Sequence, residues 1–111
     1  MNQAKFSPKA GRDLDQIFGF IAGDNPAAAE RVRENILNTA DFLAQHRELG
    51  RRIRNVLPRH AMIRWSIVPK FRNYLIFYQP HQETIMVVRV LHAAQDWTRF
   101  FPTAKNPAEQ I

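Results

Sequence analysis

The stretch from Tyr74 to His92 constrains the fold most. Two runs rich in β-branched and aromatic residues, Tyr74 to Tyr78 and Thr84 to Leu91, flank a polar turn at Gln79 to Glu83. Such runs read as two antiparallel strands in the heart of a sheet. No other segment is so apolar, so the remaining elements must cover this hairpin or extend it.

Upstream, Gln3 to Phe6 is a short possible strand, and Ser7-Pro8 then gives a helix start. A hydroxyl there can accept from an unpaired backbone N–H, and the proline occupies the first helical position, where no N–H is needed. Ala10, Leu14, Ile17, Phe18 and Ile21 recur at three- and four-residue steps, with Arg12, Asp13, Asp15 and Gln16 assigned to water and Gly23 as the stop. Asp24-Asn25-Pro26 repeats the start signal, and Ala29, Val32, Ile36, Ala40 and Leu43, widened by Leu37 and Ala44, form a second stripe to about residue 46. So short a connection makes the two helices antiparallel.

Pro58 bars a central strand, so residues 51 to 60 are expected to be loop with at most an edge strand. Met62 to Val68 alternates as a half-buried strand, with Ile63, Trp65 and Ile67 to one side and Arg64 and Ser66 to the other; Pro69 to Asn73 is the turn that follows. Asp96 can cap a short helix over Trp97 to Phe101, ended by Pro102, and residues 103 to 111 are expected to be a frayed tail. The sum is one α+β domain over residues 1 to 102, in the order β-α-α-β-β-β with a short terminal helix. Its helical hairpin packs on a small, mainly antiparallel sheet.

Charge is divided unevenly. Residues 1 to 50 carry six Lys/Arg against seven Asp/Glu, whereas residues 51 to 111 carry ten against three. A positive second half favours encounter with polyanions or acidic protein surfaces. Arg51, Arg52, Arg54, Arg59 and Arg64 lie within fourteen residues, with Arg72 and Arg89 on the strands that follow. Guanidinium groups grip phosphates and carboxylates, and Trp65 and Phe71 are near for stacking; a solvated basic face is the plain alternative.

Among the histidines, His46, His60 and His81 have no partner at a motif spacing, while His92 follows the last core strand. Its structural alternative is a ring bonded to the Ala94–Asp96 backbone. Scattered histidines and no cysteine give no metal-ligand pattern, and neither a nucleophile motif nor a glycine-rich phosphate loop is present. No metal and no cofactor are expected. The N-terminus lacks a signal-peptide core and no apolar run is long enough to cross a bilayer, so a cytoplasmic protein is expected.

Four motifs occur in order: Phe6-Ser7-Pro8-Lys9-Ala10-x-x-Asp13-Leu14-x-x-Ile17, Asp24-Asn25-Pro26, Asn73-Tyr-Leu-Ile-Phe-Tyr78, and Val88-Arg89-Val90-Leu91-His92-Ala93-Ala94-x-Asp96. Together they resemble the ParE branch of the RelE/ParE toxin superfamily over roughly residues 4 to 100. The resemblance implies a toxin of a type II toxin–antitoxin pair that binds DNA gyrase and traps its covalent complex with cleaved DNA. An acidic, partly disordered antitoxin that folds on binding would neutralise it.

On that reading the target-binding residues are Arg51, Arg52, Arg54, Arg59, Arg64, Arg89, His92, Asp96 and Trp97. The antitoxin would bind the helical hairpin at Leu14, Ile17, Phe18, Ile21, Val32 and Ile36. The other branch of the superfamily resembles ribosome-dependent mRNA endonucleases, for which Arg54, Arg64, Arg89 and His92 would be the catalytic set. Such chains tend to carry basic residues and a tyrosine after the last strand, where this one has Ala93-Ala94-Gln95. The ParE pattern often has Gly-Ala-Arg-Asp there, so a basic residue is missing on that count too. A third possibility is a member that keeps the fold and antitoxin binding without toxicity.

Overall fold

A computed structural model describes residues 3 to 102. Strand β1 (Lys5–Phe6) leads into helices α1 (Pro8–Ala22) and α2 (Pro26–Gln45), followed by β2 (Arg51–Arg52), β3 (Arg64–Val68), β4 (Phe71–His81) and β5 (Thr84–His92). Short 3-10 turns lie at Pro58–His60 and Trp97–Arg99. The sheet order is β1-β5-β4-β3-β2; β1 runs parallel to β5 and every other pairing is antiparallel. The expected α+β architecture is therefore present, and the tail assigned to 103–111 lies outside the described residues.

Both helix starts are built as their residues require. The Ser7 side chain accepts from the Ala10 N–H, and the Asn25 side chain accepts from the Ala28 N–H. The apolar stripes of α1 and α2 then pack on one face of the sheet, where Ala10, Leu14, Val32 and Ile36 meet Ile76, Tyr78, Ile85 and Val87.

The other face is not left to water. Phe77 and Leu91 point there, beneath Ile53, Ile63 and Phe101, with Trp65, Trp97 and Phe100 packed around them. The loop between β2 and β3 and the segment after β5 thus form a second, thinner core. Double coverage explains why the β4–β5 runs are continuously apolar rather than alternating, since a strand buried on both faces has no polar side to show.

The two expected five-residue turns are tighter. Val68 pairs with Phe71 and His81 with Thr84, leaving two-residue turns with Lys70 at φ 71° and Gln82 at φ 55°. Backbone pairing carries the strands through polar residues that side-chain pattern assigns to turns. Pro80 is tolerated inside β4 because it lies past the end of β3, which stops opposite Tyr78, so one side of the strand has no neighbour.

The end of α2 is pinned to the sheet by one buried phenol. The Tyr78 hydroxyl accepts from the Gly50 N–H at 2.8 Å and donates to the Arg47 carbonyl at 3.0 Å. A Cβ on residue 50 would stand 2.5 Å from that hydroxyl and 2.8 Å from the Trp65 carbonyl oxygen, so only glycine passes there.

Candidate functional site: two basic surfaces and the exit of β5

The last strand carries one extra residue. Phe77 pairs with Arg89 and Tyr78 with Val87, so Val88 is a bulge. A bulge bends its strand and re-aims the side chains beside it. Here the Val87 and Val88 carbonyls accept from the Ser7 N–H and hydroxyl, and the chain then turns into α1. Beyond that point β1 offers no partner to the edge of β5. Asp13 does so instead: its Oδ2 accepts from the Val90 N–H at 3.0 Å.

The same carboxylate holds Arg89 bidentately, with Nε to Oδ2 and Nη2 to Oδ1 both at 2.7 Å, and Arg89 also lies over the Phe100 ring at 4.3 Å. Two short charge-assisted bonds in parallel form the strongest side-chain pairing open to an arginine. Asp13 is therefore buried, at 8% exposure, and not in water as the helical pattern suggested. A signal was present in the sequence: position 13 is three residues after Ala10 and four before Ile17, on the apolar face, and an acid there demands a buried cation. Arg89, the charge within the most apolar strand, is that cation.

The arginine cluster divides. Arg64 donates to the Gly50 carbonyl at 2.7 Å and the Glu48 carbonyl at 3.2 Å, and Arg52 donates to the Ala61 carbonyl at 2.8 Å. Arg51 lies 5.9 Å from the centre of the Trp65 ring. Arg51, Arg52, Arg54 and Trp65 line one shallow surface at the β2–β3 edge. Arg59 stands apart, in a cleft shared with Lys9, Arg12 and Arg89.

At the exit of β5, the His92 Nδ1 accepts from the Ala94 N–H at 3.0 Å, the Gln95 side chain accepts from the His92 N–H, and the ring meets Tyr74 edge-on at 5.4 Å. This is the backbone-bonded histidine considered for that position. Asp96 caps the 3-10 turn through the Thr98 amide and hydroxyl, which hold its carboxyl below the usual range, with Arg99 adding to the effect. Trp97 and Trp65 both pack on the second core, and Arg51 pairs with Trp65, whereas Arg64 pairs with Tyr78 of the helical-face core.

Leu14, Val32 and Ile36 are buried against the sheet, at 7%, 4% and 0% exposure, and cannot also grip an antitoxin. This corrects their assignment: an amphipathic stripe is used once, and here it covers the sheet. Ile17, Phe18 and Ile21 remain half-buried, while Phe20 and Phe42 are the open aromatic rings of the helical layer. Among the described residues no three metal-ligating side chains gather, and no helix is long and apolar enough to cross a membrane.

Two helices on a five-stranded mixed sheet, with Arg51 and Arg52 on its edge strand β2, define a small α+β domain. The model for the ParE toxin of the type II toxin–antitoxin system parDE matches residues 4–97, so the chain belongs to that family. Toxin RelE3 of Caulobacter vibrioides is 27% identical over 95 residues, which cover 86% of this chain and 98% of the relative. A solved structure from the chromosomal ParDE system of P. aeruginosa superposes with a TM-score of 0.65 at 19% identity, over 83% of this chain and 96% of that one. The likeness at that identity is one of fold.

Proposed function

We propose that this chain is a ParE-type toxin that acts in the cytoplasm by binding DNA gyrase and stabilising its cleavage complex, not by catalysis. The observation that carries this reading is the exit of β5. His92, the side chain best placed to act as a base, spends its Nδ1 on the Ala94 amide and its ring edge on Tyr74, so it shapes a turn. Arg64 and Arg89 from the same candidate catalytic set are likewise bound to backbone carbonyls and to Asp13. Arg51, Arg54 and Trp65 on one side, and Asp96 and Trp97 on the other, frame a binding surface for an acidic or DNA-bearing target. Arg52 serves as its brace through Ala61.

An acidic antitoxin segment, folding on contact, is the neutralising partner. Its apolar side chains seat on Phe20, Phe42 and the half-buried Ile17, Phe18 and Ile21, and its backbone extends the sheet beyond β2. A net charge of +6 gives that association an electrostatic advantage.

Incubating the purified protein with gyrase, ATP and plasmid tests the target. Linear DNA released by detergent and protease is the expected product; intact supercoiling activity without a cleavage complex refutes the reading. The endoribonuclease alternative draws on the relative named RelE3. Discrete cuts in a labelled message on translating ribosomes would establish it in place of gyrase binding.

A further inference from the structure

A cleft of about 560 Å³ opens between the start of α1, the bulged part of β5 and the segment after it. Lys9 and Arg12 enter from the first turns of α1, Arg59 from the 3-10 turn before β3, and Arg89 from β5; no Asp or Glu is among the lining residues. Asp13 answers Arg89 from behind. Lys9, Arg12 and Arg59 have no ion-pair partner among the described residues. Three uncompensated cations around one concavity repel one another, and an anion between them removes that cost.

A second observation comes from His60, which also lines the cleft. Its Nδ1 is buried and has no hydrogen-bond partner, with the ring held edge-on to Phe101 at 5.4 Å. Buried polar nitrogens are nearly always paired; this one is closed to solvent, so the ring meets the cleft through its other atoms. Burial, and then the Arg59 charge, lower its pKa, so the ring is neutral at pH 7 and offers one N–H for donation. The floor is apolar, formed by Ile63, Val88 and Phe101.

We propose that this cleft binds the phosphate of a nucleotide, with the oxyanion held by Lys9, Arg12, Arg59 and His60 and the base resting on the apolar floor. Three cations exceed what a single carboxylate needs but match a dianionic phosphomonoester. An apolar floor suits a ring system better than a flexible acidic side chain. The volume lies in the range of small-molecule sites. The cleft shares no residue with the Arg51–Trp65 surface, but Arg59 and Arg89, which line it, are also expected to meet the target, so the two readings are separated by separate assays on the same variants.

The test uses the full chain and three probes, 5′-AMP, inorganic phosphate and adenosine, followed by calorimetry and by the His60 ring resonances. Saturable binding of AMP with a shift of the His60 ring signals is expected, with phosphate roughly tenfold weaker and adenosine weaker still. Arg12→Ala and Arg59→Ala, both at exposed positions, should each weaken AMP about tenfold or more, and Arg51→Ala less than about twofold. Absence of saturable AMP binding overturns the proposal. So does indifference to Arg59→Ala, or an equal response to a glutamate-rich peptide, which would make the cleft a general anion or acidic-peptide surface. Gyrase poisoning is scored separately on the same variants, so failure of one reading leaves the other standing.

Discussion

The two basic surfaces of this molecule are built in opposite ways. At the β2–β3 edge, Arg51, Arg52 and Arg54 line one shallow surface with Arg64 on the neighbouring strand, yet Arg52 and Arg64 are bound to backbone carbonyls and Arg51 covers a tryptophan. In the cleft beside α1, Lys9, Arg12 and Arg59 come from segments some fifty residues apart in sequence and bind nothing within the described chain. Charge density along a sequence therefore does not measure charge available to a partner. An arginine beside a chain reversal is readily recruited to satisfy carbonyls there, which frees no surface.

The strongest way to sharpen the comparison is to remove the acid that neutralises Arg89 beside the cleft. Asp13→Ala leaves Arg89 largely buried without its carboxylate and the Val90 N–H without an acceptor. Loss of a buried pair partner is expected to destabilise by about 3–5 kcal/mol, read from urea unfolding. The released Arg89 would also add a fourth free cation to the cleft. A loss below about 1 kcal/mol would mean that the pair is a surface contact and the two regions differ less than described here.

A smaller effect separates structural from available arginines at the other surface. Arg64→Ala removes bonds to two carbonyls and should cost about 1.5–3 kcal/mol in unfolding free energy. Arg54→Ala, which binds no described residue, should stay within about 0.5 kcal/mol of the parent and lose gyrase poisoning instead. The opposite order of stabilities would reverse the roles assigned to the two side chains.

The last effect is a pH slope from the phenol between α2 and the sheet, confined to alkaline pH. Burial raises the Tyr78 pKa above its ordinary 10.0, with the Gly50 N–H and the Arg64 charge opposing. The folded state therefore holds its proton more tightly than the unfolded state. Stability is fully present below pH 10.0 and falls as pH rises from there through the raised folded value. Tyr78→Phe should remove this slope from thermal unfolding curves recorded between neutral and alkaline pH. An unchanged slope would assign the alkaline loss to other groups.

Local chemistry was legible wherever it was sufficient. Ser7-Pro8 and Asn25-Pro26 start the helices where their residues imply, and Asp96 caps the terminal turn, because a cap is a bond between residues two or three apart. The β4–β5 hairpin was legible from its composition. Its turns were not, because strands lengthen through polar residues when a neighbour pairs with them. The second core was not legible for a related reason: Ile53 and Phe101 sit in segments without periodicity, the alternation around Ile63 does not say what covers it, and their burial depends on folding back over Phe77 and Leu91. His92 can be read either way from sequence, and the bond its Nδ1 accepts from the Ala94 N–H shows only in the fold.

What the sequence determined by itself is the set of elements, their order and the apolar faces that make them pack, since these follow from spacing within a few residues. What only the tertiary structure decided is the pairing of charges. Asp13 meets Arg89 across seventy-six positions because the Val88 bulge turns the edge of β5 toward α1, and Arg59 parts from its neighbours because the 3-10 turn carries it to the cleft beside α1. Coulombic and hydrogen-bond partners are fixed by distances of a few ångströms between elements. Those distances are set by strand register and packing, which a residue's own sequence neighbours do not contain.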